Sequence, residues 1–169
     1  FKTHDNLEIE SVLLPNGKNQ FTLCLSSQAG CFYGCDFCAT GKSGYTRNLS
    51  DAEIISRVLF FFQDKKISNL VFMGMGEPLA NPFLFSALNK LTQEPYLNFA
   101  SRSITVSTIG IPDAILQMAQ YKQIKLAWSY HSGFKAKRKT LFPVLSKSHS
   151  LERIIEAFQK YQDLTKKRI

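Results

Sequence analysis

Residues 31–41 read Cys31-Phe32-Tyr33-Gly34-Cys35-Asp36-Phe37-Cys38-Ala39-Thr40-Gly41. The cysteines are spaced C-x3-C-x2-C, which brings three thiolates to one place, and thiolates are soft metal ligands. Two centres fit them. A structural zinc needs a fourth ligand, which would come from a distance, from His131 or Cys24. A [4Fe–4S] cluster held by three thiolates leaves one iron open to chelate a substrate. No second C-x2-C and no His pair at zinc-finger spacing follows, which favours the cluster. Cys24 falls in an alternating apolar run and reads as a buried core thiol. Four cysteines, three of them crowded, do not make a secreted disulfide framework and point to a reducing cytosol.

Upstream of the triad, the apolar runs Ile9–Leu14 and Phe21–Ser26 flank Pro15-Asn16-Gly17, a hairpin pattern. Residues 27–49, rich in Gly, Ser and Cys, read as a long ordered loop. Ser50-Asp51-Ala52-Glu53 is a capping box. It opens a helix with Ile54, Ile55, Val58, Leu59 and Phe62 on one face. Beyond it, Leu70–Met73, Ile104–Ser107 and Lys125–Tyr130 read as strands. Residues 83–92, a stretch from Pro112 to about Tyr121, and Leu151–Leu164 read as helices, the last with Leu151, Ile154, Ile155 and Phe158 on one side. The class is α/β: a β-hairpin followed by about four parallel βα units, too few to close an eight-stranded barrel. Catalytic loops of such sheets lie at the strands' C-terminal ends. The Cys cluster, Gly74–Leu79, Ser107–Gly110 and Ser129–His131 all fall there.

The chain has 169 residues, 44% of them hydrophobic and 12% aromatic, which suits one folded domain and excludes a disordered chain. No apolar run reaches the roughly 18 residues of a membrane span, and no secretory signal is visible at the start. The net charge is +8, and residues 135–169 hold ten Lys/Arg against three Asp/Glu. Such a basic segment is either a nucleic-acid surface or a solvated helix face.

C-x3-C-x2-C after a first strand, in a βα repeat, resembles the radical S-adenosylmethionine (SAM) superfamily. C-D-F-C-A-T-G, F-M-G-M-G-E-P-L-A-N, V-S-T-I-G-I and Ser-x-His, in that order, resemble more narrowly its RlmN and Cfr rRNA adenine methyltransferases, from about Glu10 to Val144. The resemblance implies a partial radical-SAM barrel with Cys31, Cys35 and Cys38 holding a [4Fe–4S] cluster. It implies SAM bound at the open iron and contacted by Gly76, Glu77, Ser107, Ser129, Tyr130 and His131. Taken alone, the Gly/Glu/Pro stretch is also ordinary turn chemistry. Tyr130 departs from the family's Leu, which is tolerable where that residue packs outward. Glu10 matches a proton-accepting Glu, a general base in an otherwise solvent-facing strand. Arg138-Lys139-Thr140-Leu141-Phe142-Pro143-Val144 resembles the family's R-x-x-L-M-P-I. It implies that Arg138 and the nearby lysines meet RNA phosphate or the adenine's loop, with Phe142 filling core.

The implied substrate is an adenosine of 23S rRNA, methylated at C2 or C8, with tRNA a second candidate. An electron donor such as flavodoxin and a cytoplasmic location go with it. The family's methyl-carrying Cys lies near the C-terminus, and no Cys follows Cys38 here. The expectation is therefore a radical SAM core over residues 1–169, truncated of an N-terminal helical domain and the last βα units, and unable to methylate RNA by itself.

Overall fold

The computed structural model describes residues 1–17 and 19–169. Seven strands form: β1 (Ser11–Pro15), β2 (Phe21–Leu25), β3 (Gln28–Gly30), β4 (Tyr45–Asn48), β5 (Ile67–Phe72), β6 (Ile104–Thr108) and β7 (Lys125–Trp128). The helices are α1 (Ala39–Lys42), α2 (Asp51–Phe62), α3 (Leu84–Thr92), α4 (Pro112–Met118), α5 (Lys135–Leu141), α6 (Leu145–Ser148) and α7 (Leu151–Thr165). The main sheet has the order β1-β2-β5-β6-β7, antiparallel between β1 and β2 and parallel from there on. This is the expected hairpin, whose second strand β2 is also the first of four parallel strands. The turn of the hairpin closes with the Asn16 N–H donating to the Gln20 carbonyl, and Gly17 and Asn19 take the positive φ.

Helices cover one face of the sheet, and alternate residues of each strand point to it, while Thr22, Cys24, Thr105 and Ser107 on the other face are half-buried. Leu23, Leu25, Leu70, Phe72, Ile104 and Val106 are buried. Against them pack α3 through Leu84, Leu88 and Leu91, α4 through Ile115 and Met118, and α7 through Ile154, Phe158 and Tyr161. The capping box forms as read: Ser50 Oγ accepts from the Glu53 N–H at 3.2 Å, and Glu53 accepts from the Ser50 N–H at 2.8 Å. We expect Ser50→Ala to cost about 1 kcal/mol. Urea unfolding should show it as a lower midpoint with an unchanged slope.

Three expectations change. Residues 27–49 are not one loop: β3 and β4 pair antiparallel and bracket the cysteines. Gly30 makes the pairing possible, since at φ +77° a Cβ there would lie 2.0 Å from the Gly44 carbonyl oxygen. The buried face of α2 is Ile54, Arg57 and Val58, while Leu59 and Phe62 are exposed. Cys24 is half-exposed on β2 rather than a core residue. α5 and α6 fill the interval between the last strand and the last helix. Among the described residues no helix is long and apolar enough to cross a membrane.

Candidate active site

All four parallel strands deliver their C-terminal ends to the same edge of the sheet. A cavity of 310 Å³ opens there, lined by Cys31, Cys35, Cys38, Gly76, Glu77, Ser107 and Ser129 together with Phe37, Thr108 and Ile109. Segments 98 residues apart in the chain thus share one wall. Ser107 and Ser129 face each other across neighbouring strand ends, their hydroxyls 3.4 Å apart.

The thiol loop is fastened at its base. The Cys31 N–H donates to the Gly44 carbonyl at 2.8 Å, and the Ser27 and Gln28 N–H groups both donate to the Met75 carbonyl. The buried Asn81 amide donates to the Ser27 and Leu49 carbonyls at 2.7 and 2.8 Å. All three cysteines are free thiols. Burial pushes Cys31 up, and burial with the neighbouring Cys31 and Cys38 pushes Cys35 up to about 12. Thiols in such a place give up their protons to a bound metal, whose charge reverses the penalty.

Glu77 is 3% exposed. Its Oε1 accepts from the Leu79 N–H at 3.1 Å and its Oε2 from the Ile109 N–H at 2.9 Å, and the Thr108 side chain also bonds the carboxyl. Its own N–H donates to Gln28 Oε1 at 2.9 Å. The carboxyl therefore ties the β5 end to the β6 end, and burial pushes its pKa up to about 7. Gly76 before it sits at φ +96°, and a Cβ there would lie 2.5 Å from the Gln28 side chain. Only glycine leaves this approach open.

The remaining sequence-predicted residues lie around the cavity rather than in its wall. His131 is at φ +53° and lays its ring on Phe37, centroids 4.0 Å apart. The Tyr130 side chain turns away and packs edge-on against Trp128 at 4.7 Å. Glu10 is exposed and just precedes β1, in a neighbouring groove of 810 Å³ shared with Ala39, Thr40 and Met75. Met75 lines this groove, and the Glu10 N–H meets its sulfur at 3.4 Å.

Arg138 is not at the surface. It is 3% exposed, with its guanidinium over Phe142 at 4.6 Å. A buried guanidinium does not reach RNA phosphate, so this part of the expected basic surface is corrected. Phe142 is fully buried, as expected. Sequence reasoning missed Gln28, Asn81 and Thr108. Their signal was polar residues inside apolar or turn stretches, which only tertiary contact identifies.

A parallel α/β sheet whose strand ends enclose a three-thiol loop belongs to a recognisable class. Residues 25–168 match the radical SAM superfamily, and the chain belongs to it. It is 43% identical over 170 residues to the protein named "Probable dual-specificity RNA methyltransferase RlmN" of a Picosynechococcus species, a match covering 98% of this chain and 48% of that one. It is 41% identical to the ribosomal RNA large subunit methyltransferase Cfr of Lachnoclostridium phytofermentans, covering 100% of this chain and 49% of that protein. The crystal structure of a radical SAM methyltransferase from Sphaerobacter thermophilus superposes with a TM-score of 0.90 at 36% identity, over 99% of this chain and 50% of that one. The chain spans about half the length of the relatives it matches.

Proposed function

We propose that residues 1–169 are the radical SAM core of an enzyme that methylates an adenosine of 23S rRNA, at C2 or C8. The observation that carries this is the single cavity that Cys31, Cys35 and Cys38 share with Gly76, Glu77, Ser107 and Ser129. The donor set fits a [4Fe–4S] cluster: three soft thiols line one cavity, close enough that, beyond burial, Cys31 and Cys38 both push the Cys35 thiol up. A cluster held by these three thiols would supply one-electron reducing chemistry and an open coordination position for SAM.

The chain's own residues do the rest. Cys31, Cys35 and Cys38 hold the cluster. Gly76 gives the ligand room, and the Glu77 carboxylate accepts hydrogen bonds from the SAM ammonium. Ser107 and Ser129 offer hydroxyls to the carboxylate or ribose. Tyr130 contributes its backbone only, since its ring is turned away, and His131 closes the rim over Phe37. Glu10, in the groove beside the cavity, is the general base that takes a proton from the adenine adduct. Partners of this reading are 23S rRNA, with tRNA as a second substrate, and an electron donor such as flavodoxin, in the cytoplasm.

Anaerobic reconstitution tests it. The expected product is brown protein with about four iron and four sulfide per chain that cleaves SAM when reduced. One zinc and no sulfide would replace this reading with a zinc-stabilised module.

Lys137 and Lys139 are exposed on α5, and Lys135 makes only an exposed ion pair with Glu152 at 2.5 Å. Such a pair is worth about 0–1 kcal/mol and yields readily to a phosphate. Changing the three lysines to Gln should weaken binding of an rRNA fragment and lower the log–log salt slope by about 2–3. Iron content should stay the same. Equal slopes would show that this face is merely solvated.

A further inference from the structure

Arg138 is a buried cation without a carboxylate partner among the described residues. Such a group is costly to bury, and an apolar side chain would fill the space at lower cost. Part of the cost is offset by aromatic faces, with Phe142, Trp128 and Tyr130 at 4.6, 5.8 and 5.9 Å from the guanidinium carbon. What an apolar residue cannot do is donate. Arg138 Nη1 donates to the Tyr130 carbonyl at 2.5 Å and lies 3.5 Å from the Ser132 carbonyl. The Tyr130 carbonyl also accepts from the Ser132 N–H at 2.6 Å, which closes a tight turn centred on His131. A left-handed His is disfavoured unless its surroundings impose it.

The same helix reaches the thiol loop directly. The Leu141 carbonyl accepts from the Asp36 N–H at 3.1 Å. Phe142 meets Phe37 edge-on at 5.3 Å and the His131 ring at 5.6 Å. We propose that Arg138 is a positioning residue for the thiol loop: its guanidinium fixes the 130–132 turn, the turn lays His131 on Phe37, and Phe37 stands between Cys35 and Cys38. The reach toward a cluster rests on the reading of these cysteines as its ligands. The positioning itself does not.

The test uses Arg138→Met, which keeps bulk without donors, and Arg138→Lys, which keeps a charged donor without the planar face. In the cluster-free protein, the ring resonances of His131 and Phe37 should move in Arg138→Met and move less in Arg138→Lys. Unmoved resonances in Arg138→Met would overturn the proposal. If that variant does not fold, Arg138→Gln, which is too short to span to the turn and carries no charge, takes its place, and unmoved resonances in it would overturn the proposal. In the reconstituted protein, Arg138→Met should retain full iron and sulfide. Its reduced cluster should show altered electron paramagnetic resonance, and SAM should bind about tenfold more weakly, the effect of one charge-assisted hydrogen bond. A wild-type spectrum with wild-type SAM affinity would overturn the link to the cluster. Wild-type protein that takes up no iron would overturn the cluster reading and leave the resonance test to decide the positioning.

Discussion

Replacing Cys31, Cys35 or Cys38 with Ala, one at a time, is expected to reduce bound iron from about four per chain to background, while Cys24→Ala leaves it unchanged. The triad lines one cavity, and on the proposed reading a cluster has only these three protein ligands, so none is redundant. Cys24 lies on β2 between Val12 and Val71 of the flanking strands and is not in that wall. Iron and sulfide analysis after anaerobic reconstitution reads the result, with circular dichroism to confirm folding. Normal iron in any triad variant would sink the assignment, as would loss of iron in Cys24→Ala.

The second large effect belongs to Glu77. Glu77→Ala leaves the buried Leu79 and Ile109 N–H groups without their acceptor. Each orphaned donor costs about 1–3 kcal/mol. SAM binding should fall by about 10–100-fold, as one charged hydrogen bond is lost. Glu77 also has a pH signature. Its pKa in the folded chain is about 7, above the 4.5 of a free glutamate, because burial penalises the charge. The folded state therefore binds more protons than the unfolded state between these values. Stability from this group is fully present below about pH 4.5 and is lost as pH rises to about 7. Glu77→Gln does not titrate. In cluster-free protein, the stability difference between wild type and Glu77→Gln should shrink in wild type's disfavour from pH 5 to 7 and level off above. A difference constant from pH 5 to 8 would contradict the buried carboxyl.

The strands of the sheet were legible because each is an apolar run too short for a helix and set between turn residues. The capping box was legible because it is a local contract between Ser50 and Glu53. The face of α2 was not. Leu59, Phe60, Phe61 and Phe62 follow one another, so apolar residues surround the helix and periodicity cannot choose a side. The choice fell to Ile54 and Val58, with Phe60 and Phe61 meeting Phe1 at 5.1 and 5.7 Å. β3 and β4 escaped notice because they are short and polar and pair across the thiol loop. The triad stood out by its spacing, whereas the strand-end Gly, Glu and Ser residues stood out only by their resemblance to the family's motifs, and the structure brings all of them to one cavity. The burial of Arg138 was not, because a basic segment reads as surface until an aromatic cage is seen to enclose one of its members.

Each strand of the main sheet pairs with one that precedes it in the chain, so the sheet can be laid down in the order of synthesis. The thiol loop follows a different schedule. Its base is tied by Gly44, Met75 and Asn81, but Asp36 and Phe37 receive their last partners from Leu141 and Phe142, more than 100 residues later. A nascent chain thus presents its three thiols on a half-anchored loop well before the α5 segment arrives to set their final geometry. On the proposed reading of these thiols as ligands, metal delivered in that interval meets an adaptable set, and metal delivered afterwards meets a fixed one.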